Sequence, residues 1–367
     1  MISVAFDLRD PVRSGIARVA RSLAESLARR VEQDSPRRVS LTFCGPVGQM
    51  EALGVRSWSR DPIRLVDWPA GRHSLRAQAQ WRRVNHAVGN AVWFFPHWDA
   101  PWYALPRRYV ATVYDLTLIR VPGATTNTRR HMTAWWMRNT VRHAARIVVP
   151  SRYTADDLAA LVPDAAARMR VVPAGVDSCF LAAPSPLPGA IQSFVAAGPC
   201  MLSVGNRKPH KNLMMGVHML ARIPGLRWVV MGEWFEPWEQ VAAAAAKAGV
   251  TERMLVLEPQ SDEVLRGLYH SATCLLFPSR SEGFGLPVAE AAACGLPVVC
   301  STAGSLPEVG GTCATYCNPD DIDAFEAAVR AIVAPPRRQS QVCIDRARRM
   351  TWAASAGQLL EILEEVA

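Results

Sequence analysis

Most of what the sequence says about its fold is concentrated in one stretch, Pro278-Ser-Arg-Ser-Glu282-Gly-Phe-Gly285-Leu-Pro287-Val-Ala-Glu290-Ala-Ala-Ala-Cys-Gly295-Leu-Pro297-Val-Val. An apolar run ends just before it, at Phe277, and a loop with two glycines follows. Pro287 lies where helices prefer to begin, and Gly295 lies where they commonly end. The stretch therefore predicts a strand, a loop, a helix over residues 287–294 and a second strand, which is the repeating unit of a doubly wound sheet.

The loop and the helix start of this stretch have the features of a ligand site. Gly283 and Gly285 let the backbone approach a ligand closely, and the free amides of the following helix can hold phosphate. Glu282 precedes the helix and Glu290 lies within it, so the two carboxylates can reach one ligand from different sides. Each glutamate taken alone also fits an ordinary turn with a capping acid. The stretch as a whole favours a binding site.

A second candidate site is the basic loop Ser203-Val-Gly205-Asn-Arg207-Lys208-Pro-His-Lys211-Asn212. A predicted strand ends at Gly205, and the loop leads into a helix. The chain has three lysines against 38 arginines, and two of the lysines are in this loop. An arginine fork and a lysine point charge are suited to holding a diphosphate without a metal ion. In isolation the loop is equally compatible with a basic surface turn.

Two series of alternating strands and helices surround a proline-rich stretch at residues 184–199. The first series has predicted strands at residues 2–6, 39–43, 91–95, 109–113, 146–149 and 169–172. The second series has predicted strands at residues 200–204, 228–231, 254–257, 273–277 and 297–300. We therefore predict an α/β chain of two Rossmann-like, doubly wound domains that face each other across a cleft, joined by a linker at 184–199.

Composition restricts the class of protein. Half of the 367 residues are hydrophobic and a fifth are charged, as in globular proteins. No apolar run approaches the roughly 18 to 20 residues that span a bilayer, and the first ten residues lack a signal-peptide pattern. We expect a cytoplasmic protein. The nine cysteines show no pairing or metal-ligand spacing, so we expect buried reduced thiols and no metal site.

The charge is unevenly distributed along the chain. Residues 1–183 contain 26 arginines and 14 acidic residues, a net charge of +12, whereas the remainder has a net charge of −3. A basic half is compatible with nucleic acid, anionic lipid or a phosphate-bearing substrate. A predicted helix over residues 129–145 combines arginines with Trp135 and Trp136, and a helix over 74–88 places Trp81 beside two arginines. These helices favour peripheral contact with an anionic membrane, unless the tryptophans belong to the core.

The motif Glu282-Gly-Phe-Gly-Leu-Pro-x-x-Glu290, with the Gly-x-Pro-Val that follows, resembles the signature of family-4 retaining glycosyltransferases of the GT-B fold. The resemblance implies that Glu282 contacts the donor sugar, that Glu290 contacts the nucleotide ribose, and that Arg207 and Lys211 bind the diphosphate. Glu282, Arg207 and Lys211 are then the catalytic candidates. The implied donor-binding residues are Gly15, Gly205, Gly283, Phe284, Gly285, Leu286 and Glu290.

The resemblance also covers the first half of the chain, though less closely. Gly15-Ile-Ala17-Arg is similar to the family's Gly-Ile-Gly-Arg, with Ala17 replacing the second glycine. Many relatives have His-Asp-Leu where this chain has Tyr114-Asp115-Leu116, and a tyrosine is a poor base at neutral pH. The acceptor-side candidates are therefore His97, Tyr114 and Asp115, with a purely structural role as the alternative for His97.

The implied organisation is an acceptor domain over residues 1–183, a nucleotide-sugar domain over 200–350, and a helix in 351–367 that crosses back to the first domain. The implied function is a retaining, metal-independent hexosyltransferase of the mannosyltransferase-like, bacterial polysaccharide type. The nucleotide sugar serves as co-substrate in place of a cofactor, and GDP-mannose is favoured over UDP-sugars. The expected acceptor is a saccharide or a lipid-diphosphate-linked saccharide, met at the inner membrane face.

Three alternatives stay open at this point. The first is a UDP-sugar-dependent transferase that acts on a soluble small molecule. The second is a protein that binds nucleotides or nucleic acid without transferase activity, although no known nucleic-acid module is recognisable. The third is a dehydrogenase, which would need Gly-x-Gly-x-x-Gly after a strand. Here Gly283-Phe-Gly285 is followed by Val288 at the third glycine position, which disfavours that class.

Overall fold

The computed structural model describes residues 2–9, 15–33, 38–52, 63–69, 71, 74–121, 125–234, 238–334 and 341–367. The chain divides into two compact units, each built on one parallel sheet. The first unit comprises Met1–Arg120, Thr125–Gly175 and Trp352–Ala367. The second unit comprises Val121–Ala124 and Val176–Thr351. The two Rossmann-like domains predicted from the sequence are therefore confirmed.

The first unit contains a seven-stranded parallel sheet in the order β3-β2-β1-β4-β5-β6-β7. Its strands are β1 Ile2–Asp7, β2 Val39–Gly45, β3 Ile63–Asp67, β4 Val92–Phe95, β5 Tyr109–Thr112, β6 Arg146–Val149 and β7 Met169–Val171. Its helices are α1 Gly15–Gln33, α2 Val47–Ala52, α3 Leu75–Val88, α4 Thr117–Arg120, α5 Asn127–His143 and α6 Arg152–Leu161, together with the C-terminal α15 Trp352–Val366.

Apolar strands and aromatic rings form the core of the first unit. All four residues of β4 and of β5 are buried, as expected for strands that are covered by helices on both faces. Trp68, Trp81 and Trp93 pack together with ring centroids 4.8 to 6.1 Å apart. The strand order changes direction between β1 and β4, so the loops after these two strands flank the switch point where such folds bind ligands.

The second unit contains a six-stranded parallel sheet in the order β10-β9-β8-β11-β12-β13. Its strands are β8 Cys200–Val204, β9 Arg227–Met231, β10 Met254–Leu257, β11 Cys274–Phe277, β12 Val298–Ser301 and β13 Ala314–Cys317. Its helices are α7 Gly189–Ala196, α8 Met214–Arg222, α9 Trp238–Lys247, α10 Asp262–Ser271, α11 Leu286–Ala293, α12 Leu306–Gly310, α13 Ile322–Val333 and α14 Gln341–Arg348. The switch point of this sheet lies between β8 and β11.

The observed division of the chain differs in detail from the one read from the sequence. The first unit ends at Gly175 and not at residue 183, because the next residues are fixed to the second unit. Arg266 donates a hydrogen bond of 3.0 Å to the carbonyl of Cys179, and the Phe180 ring packs on Tyr269 at 5.7 Å. Residues 184–199, predicted as a linker, include helix α7 and belong to the second unit.

Helix α15 returns to the first unit, where it packs against α1. Ser355 Oγ donates a hydrogen bond of 2.6 Å to the carbonyl of Pro173, and the Arg146 guanidinium lies 3.0 Å from the Glu365 carboxylate. Among the helices of the described residues, none combines the length and the apolarity that crossing a bilayer requires.

The cysteines require one correction. Cys313 and Cys343 form a disulfide, so the expectation of nine reduced thiols is wrong for this pair. The two residues are 30 positions apart and meet because α14 is bonded to α12 just before Cys313, where Arg346 donates to the carbonyls of Glu308 and Val309, and no local spacing reveals this contact. The other seven cysteines form no disulfide. Burial raises the pKa of Cys200, Cys274 and Cys300 to about 12, which keeps these thiols protonated.

Candidate functional site

The loops that follow β8 and β11 bring together the two most informative motifs of the sequence. After β8, a short 3-10 turn at Pro209–Lys211 is closed by Asn212, which adopts a left-handed conformation with φ of 54°. Lys211 Nζ lies 2.6 Å from Glu282 Oε1, which belongs to the loop after β11. The side chains of Lys211 and Glu282 are 15% and 12% exposed, so the ion pair is largely shielded from water while keeping access to a ligand.

A small pocket lies beside this ion pair. Its lining includes Gly205, Asn206, Lys211, Phe277 and Ser279. Asn206 Oδ1 and Ser279 Oγ line it without a hydrogen-bond partner among the described residues. Buried polar atoms in native proteins are almost always hydrogen-bonded, so unused capacity of this kind marks a place for a polar ligand.

The backbone of Glu282 is fixed by the loop after β12. Ser305 donates two hydrogen bonds of 3.1 Å to the Glu282 carbonyl, one from its amide and one from its hydroxyl. Gly304 has a φ of +65°, and a Cβ at this position would lie 2.4 Å from the same carbonyl oxygen. Gly304 and Ser305 are functional candidates that the sequence analysis missed. The available signal was a Gly-Ser pair in the short loop after a buried strand, separated from the end of that strand by two residues.

The predicted helix of the informative stretch is confirmed as α11, with Pro287 in its first turn and Gly295 just past its end. Gly285 precedes the helix in the left-handed conformation, with φ of +89°, and no side chain caps the helix start. Gly283 and Phe284 are buried, and Leu286 is the first residue of the helix. The backbone amides at the start of α11 therefore have no side-chain cap.

Glu290 lies deeper than Glu282. It is 2% exposed, and the Tyr269 hydroxyl of α10 donates a hydrogen bond of 2.8 Å to Glu290 Oε2. The sequence predicts that both carboxylates point at one ligand. In the structure Glu282 pairs with Lys211, which lines the pocket, whereas Glu290 is buried and held by Tyr269. The ribose contact for Glu290 stays a prediction.

The two predicted cations of the basic loop have different partners. The Arg207 side chain is 2% exposed, and its guanidinium contacts the carboxylate of Glu258, the residue after β10. It also donates to the carbonyl of Glu233 at 3.3 Å and lies 5.4 Å above the Trp238 ring. Lys211 is therefore the cation that the structure brings to Glu282. Glu258 is a neighbour of the site that the sequence analysis missed.

A buried charged cluster occupies the switch point of the first sheet. Asp7 ends β1, and its carboxylate lies 2.6 Å from the guanidinium of Arg9, which stacks over Trp68 at 3.9 Å. His97 follows β4, and its Nδ1 lies 3.1 Å from Oδ1 of Asp99. All four charged or titratable side chains are less than a tenth exposed. His97 thus follows a buried strand, with Asp7, Arg9 and Asp99 as unpredicted neighbours, and its acceptor-side role stays a prediction.

The remaining candidates of the first unit have local roles in the structure. The Asp115 carboxylate accepts a hydrogen bond of 2.9 Å from the Thr117 amide, at the start of α4. The Tyr114 carbonyl accepts one of 3.2 Å from Thr154, and its side chain lines a small apolar cavity beside Trp352. Gly15 is the exposed first residue of α1, and residues 10–14 of its loop lie outside the described residues. Within the described ranges, no cluster of three or more His, Cys, Asp or Glu side chains is placed to hold a metal ion.

Comparison with known proteins gives matches to both halves of the chain. Residues 13–179 match the family model described as Glycosyltransferase Family 4. Residues 192–350 match the family model described as Glycosyl transferases group 1. Together the two matches include every residue named above for the site of the second unit, whereas Asp7, Arg9 and Trp352 of the first unit lie outside them.

Two curated relatives illustrate the range of similarity. The O-antigen chain mannosyltransferase B of Escherichia coli is 37% identical over 35% of this chain and 35% of its own length. The D-inositol 3-phosphate glycosyltransferase of Mycolicibacterium gilvum is 27% identical over 82% of this chain and 70% of its own length. The chain spans 35% to 56% of the length of the first three curated relatives that it matches.

The solved structures show the fold. Sucrose-phosphate synthase from Thermosynechococcus elongatus superposes with a TM-score of 0.78 at 18% sequence identity, covering 100% of this chain and 99% of that one. The two parallel sheets and this superposition indicate the same fold, and both family matches are to glycosyltransferases. The chain belongs to the glycosyltransferases of the GT-B fold.

Proposed function

We propose that the protein is a retaining hexosyltransferase that takes a sugar from a nucleoside-diphosphate sugar, with GDP-mannose as the favoured donor. The proposed acceptor is a saccharide or a lipid-diphosphate-linked saccharide in surface polysaccharide synthesis. The observation that carries the proposal is the Lys211–Glu282 ion pair at the switch point between β8 and β11. It places a fixed cation and a carboxylate beside a pocket with unused polar atoms.

The chemistry of the pair fits donor binding. An ammonium group has three N–H donors, so Lys211 can keep its contact with Glu282 while donating to a phosphate oxygen. Negative charge builds on the diphosphate as the sugar departs, and a fixed cation in a shielded site stabilises that charge more than water does. Glu282 accepts hydrogen bonds only, which suits it to the hydroxyl groups of the transferred sugar.

The identity of the donor and acceptor rests on the named relatives. A segment of 35% of the chain is 37% identical to an O-antigen chain mannosyltransferase, which supports mannose and a polysaccharide acceptor. The second candidate is a UDP-sugar-dependent transferase acting on a soluble small molecule. Its small-molecule acceptor is supported by the longer but weaker match to a D-inositol 3-phosphate glycosyltransferase.

Thermal unfolding with a panel of nucleotides tests the proposal. A ligand at about a hundred times its Kd stabilises the folded state by about 2.7 kcal/mol, which is measurable as a rise in Tm. We expect GDP and GDP-mannose to raise the Tm of the wild type and to lose this effect with Lys211→Ala. A rise with UDP-sugars alone would favour the second candidate. A rise only with NAD or with an oligonucleotide would contradict both.

We further propose that the reaction needs no metal ion, because Lys211 supplies positive charge to the diphosphate. Activity in excess EDTA should equal activity without it. Abolition by EDTA and recovery on addition of Mg²⁺ or Mn²⁺ would contradict this part of the proposal.

A further inference from the structure

One face of the first unit exposes four large apolar side chains side by side. Met132 and Trp135 on α5 are 58% and 55% exposed, and Trp102 and Tyr103 in the loop after β4 are 42% and 39% exposed. The Trp102 ring lies 6.2 Å from Trp135 and 5.8 Å from Tyr103. These four residues are called the aromatic face. Contiguous exposed apolar patches of this kind mark binding surfaces.

The rings of the aromatic face are held in place by their neighbours in the chain. On α5, Trp136 points inward and donates a hydrogen bond of 2.7 Å to the carbonyl of Ala100, so the adjacent Trp135 points outward. The Tyr103 hydroxyl donates to the carbonyl of Gln78, and the Trp81 indole donates to the carbonyl of Ala104. The loop that carries Trp102 and Tyr103 is therefore tied to both α3 and α5.

The elements that form this face, and helix α3 to which the loop is bonded, are all basic. The segments Leu75–Val88, 100–108 and Asn127–His143 contain nine arginines and no aspartate or glutamate. Arg138 and Arg142 follow Trp135 by three and seven positions, which places them on the same side of α5. Neither pairs with a carboxylate in the described part of the chain, whereas Arg120, Arg222 and Arg330 elsewhere do.

We propose that the aromatic face is the surface by which the protein lies on an anionic lipid bilayer. Tryptophan and tyrosine rings favour the headgroup depth of a membrane, and exposed arginines bind lipid phosphate. Met132 supplies an apolar side chain that can enter the acyl boundary. The proposal concerns binding to the bilayer and does not depend on the transfer reaction.

The charge of the face argues against a second copy of the chain as its occupant. In a symmetric dimer the same patch meets itself, so Arg138 and Arg142 would face their own copies, and the segments that carry the aromatic face have no acid to pair with them. Like charges across an interface are strongly unfavourable. An anionic bilayer removes that repulsion and covers the rings as well.

Co-sedimentation of the full chain with vesicles tests the proposal. We expect strong binding to vesicles of phosphatidylcholine mixed with phosphatidylglycerol, and weak binding to phosphatidylcholine alone. Binding should fall as salt rises from about 0.1 M to about 1 M, because the screening length shrinks from roughly 10 Å to roughly 3 Å.

Three variants locate the binding surface. Trp102→Ala combined with Trp135→Ala, and separately Arg138→Gln combined with Arg142→Gln, should each weaken binding to anionic vesicles by at least about tenfold. The matched control is Trp234→Ala, which removes a 52% exposed tryptophan from the second unit and should leave vesicle binding unchanged. Unchanged Tm values and circular dichroism show that each variant is folded.

Three results would overturn the proposal. The first is a wild-type chain that does not sediment with anionic vesicles at low salt. The second is a Trp102/Trp135 variant that binds vesicles as well as the wild type. The third is light scattering that shows a wild-type dimer and a monomeric Trp102/Trp135 variant, which would assign the face to a second copy of the chain.

Discussion

Lys211 and Glu282 are 71 positions apart, and the fold brings their charged atoms to 2.6 Å. If each contacts the donor, removing either one removes an interaction with developing charge or with the reacting sugar. We predict that Lys211→Ala and Glu282→Ala each lower kcat by at least about a hundredfold. Initial rates with saturating nucleotide sugar measure kcat for the wild type and each variant.

The third lysine provides the control for that prediction. Lys247 is exposed near the end of α9, and Lys247→Ala should leave kcat unchanged. The double variant Lys211→Ala/Glu282→Ala separates a catalytic pair from a purely structural one. A structural pair would regain activity when both charges are removed, and such recovery would contradict the assignment.

Glu290 has a different expected effect, because a ribose contact binds the ground state and the transition state alike. We predict that Glu290→Gln raises the donor KM by roughly tenfold with little change in kcat, in line with the loss of one hydrogen bond to a charged group. Tyr269→Phe, which removes the hydroxyl that holds Glu290, should raise KM less. A lowered kcat with an unchanged KM would rule out the ribose role.

At the residue scale, the sequence could identify side chains that belong to a motif but not their partners. Lys211 and Glu282 were recognisable because each lies in a characteristic loop after a strand. Glu258 was missed because its relation to Arg207 spans 51 positions and depends on the packing of β10 beside β9. Asp99 was missed for a similar reason, since an acid two positions after His97 resembles any polar loop residue.

At the scale of secondary-structure elements, the loop after β12 holds the loop after β11 in position, because Gly304 packs against the backbone that carries Glu282. We predict that Gly304→Ala lowers kcat by at least about tenfold, since the new Cβ would displace the Glu282 carbonyl from a 2.4 Å approach. It should also cost roughly 1–2 kcal/mol of stability from the left-handed backbone. Kinetics and chemical denaturation measure the two effects.

Gly249 gives a matched control for the backbone effect alone. Its φ is +66°, close to the +65° of Gly304, and a Cβ there would meet no atom within 4 Å. Gly249→Ala should therefore lose similar backbone stability but keep full activity. If both variants lose activity equally, the contact between Gly304 and Glu282 does not position the site.

Elements with a strong apolar pattern were predictable, and those that depend on tertiary context were not. Strands β6, β8 and β10 were predicted with the bounds that the structure shows. Strand β3 was missed because its sequence Ile-Arg-Leu-Val-Asp is charged and partly exposed at the sheet edge. Among the tryptophans of the predicted membrane helices, only Trp135 is exposed, whereas Trp81 and Trp136 are in the core.

At the scale of the whole molecule, the alternation of strands and helices was enough to predict two doubly wound sheets. The exact division was not predictable, because residues 176–183 and helix α7 are recruited to the second unit by packing. The proline-rich composition of 184–199 suggested a linker, yet Ile191 and Val195 provide a buried face for a short helix. The amino-acid composition of a short segment does not indicate whether that segment packs against the rest of a domain.

The central claim, that the chain transfers sugar from a nucleoside-diphosphate sugar through Lys211 and Glu282, is tested most directly by donor turnover. The purified chain is incubated with GDP-mannose, UDP-glucose and UDP-N-acetylglucosamine, and release of the free nucleoside diphosphate is measured. The account predicts turnover of GDP-mannose above the other donors, lost in both Lys211→Ala and Glu282→Ala and retained in Lys247→Ala. Absence of turnover with every nucleotide sugar, or equal turnover in wild type and Lys211→Ala, would contradict it.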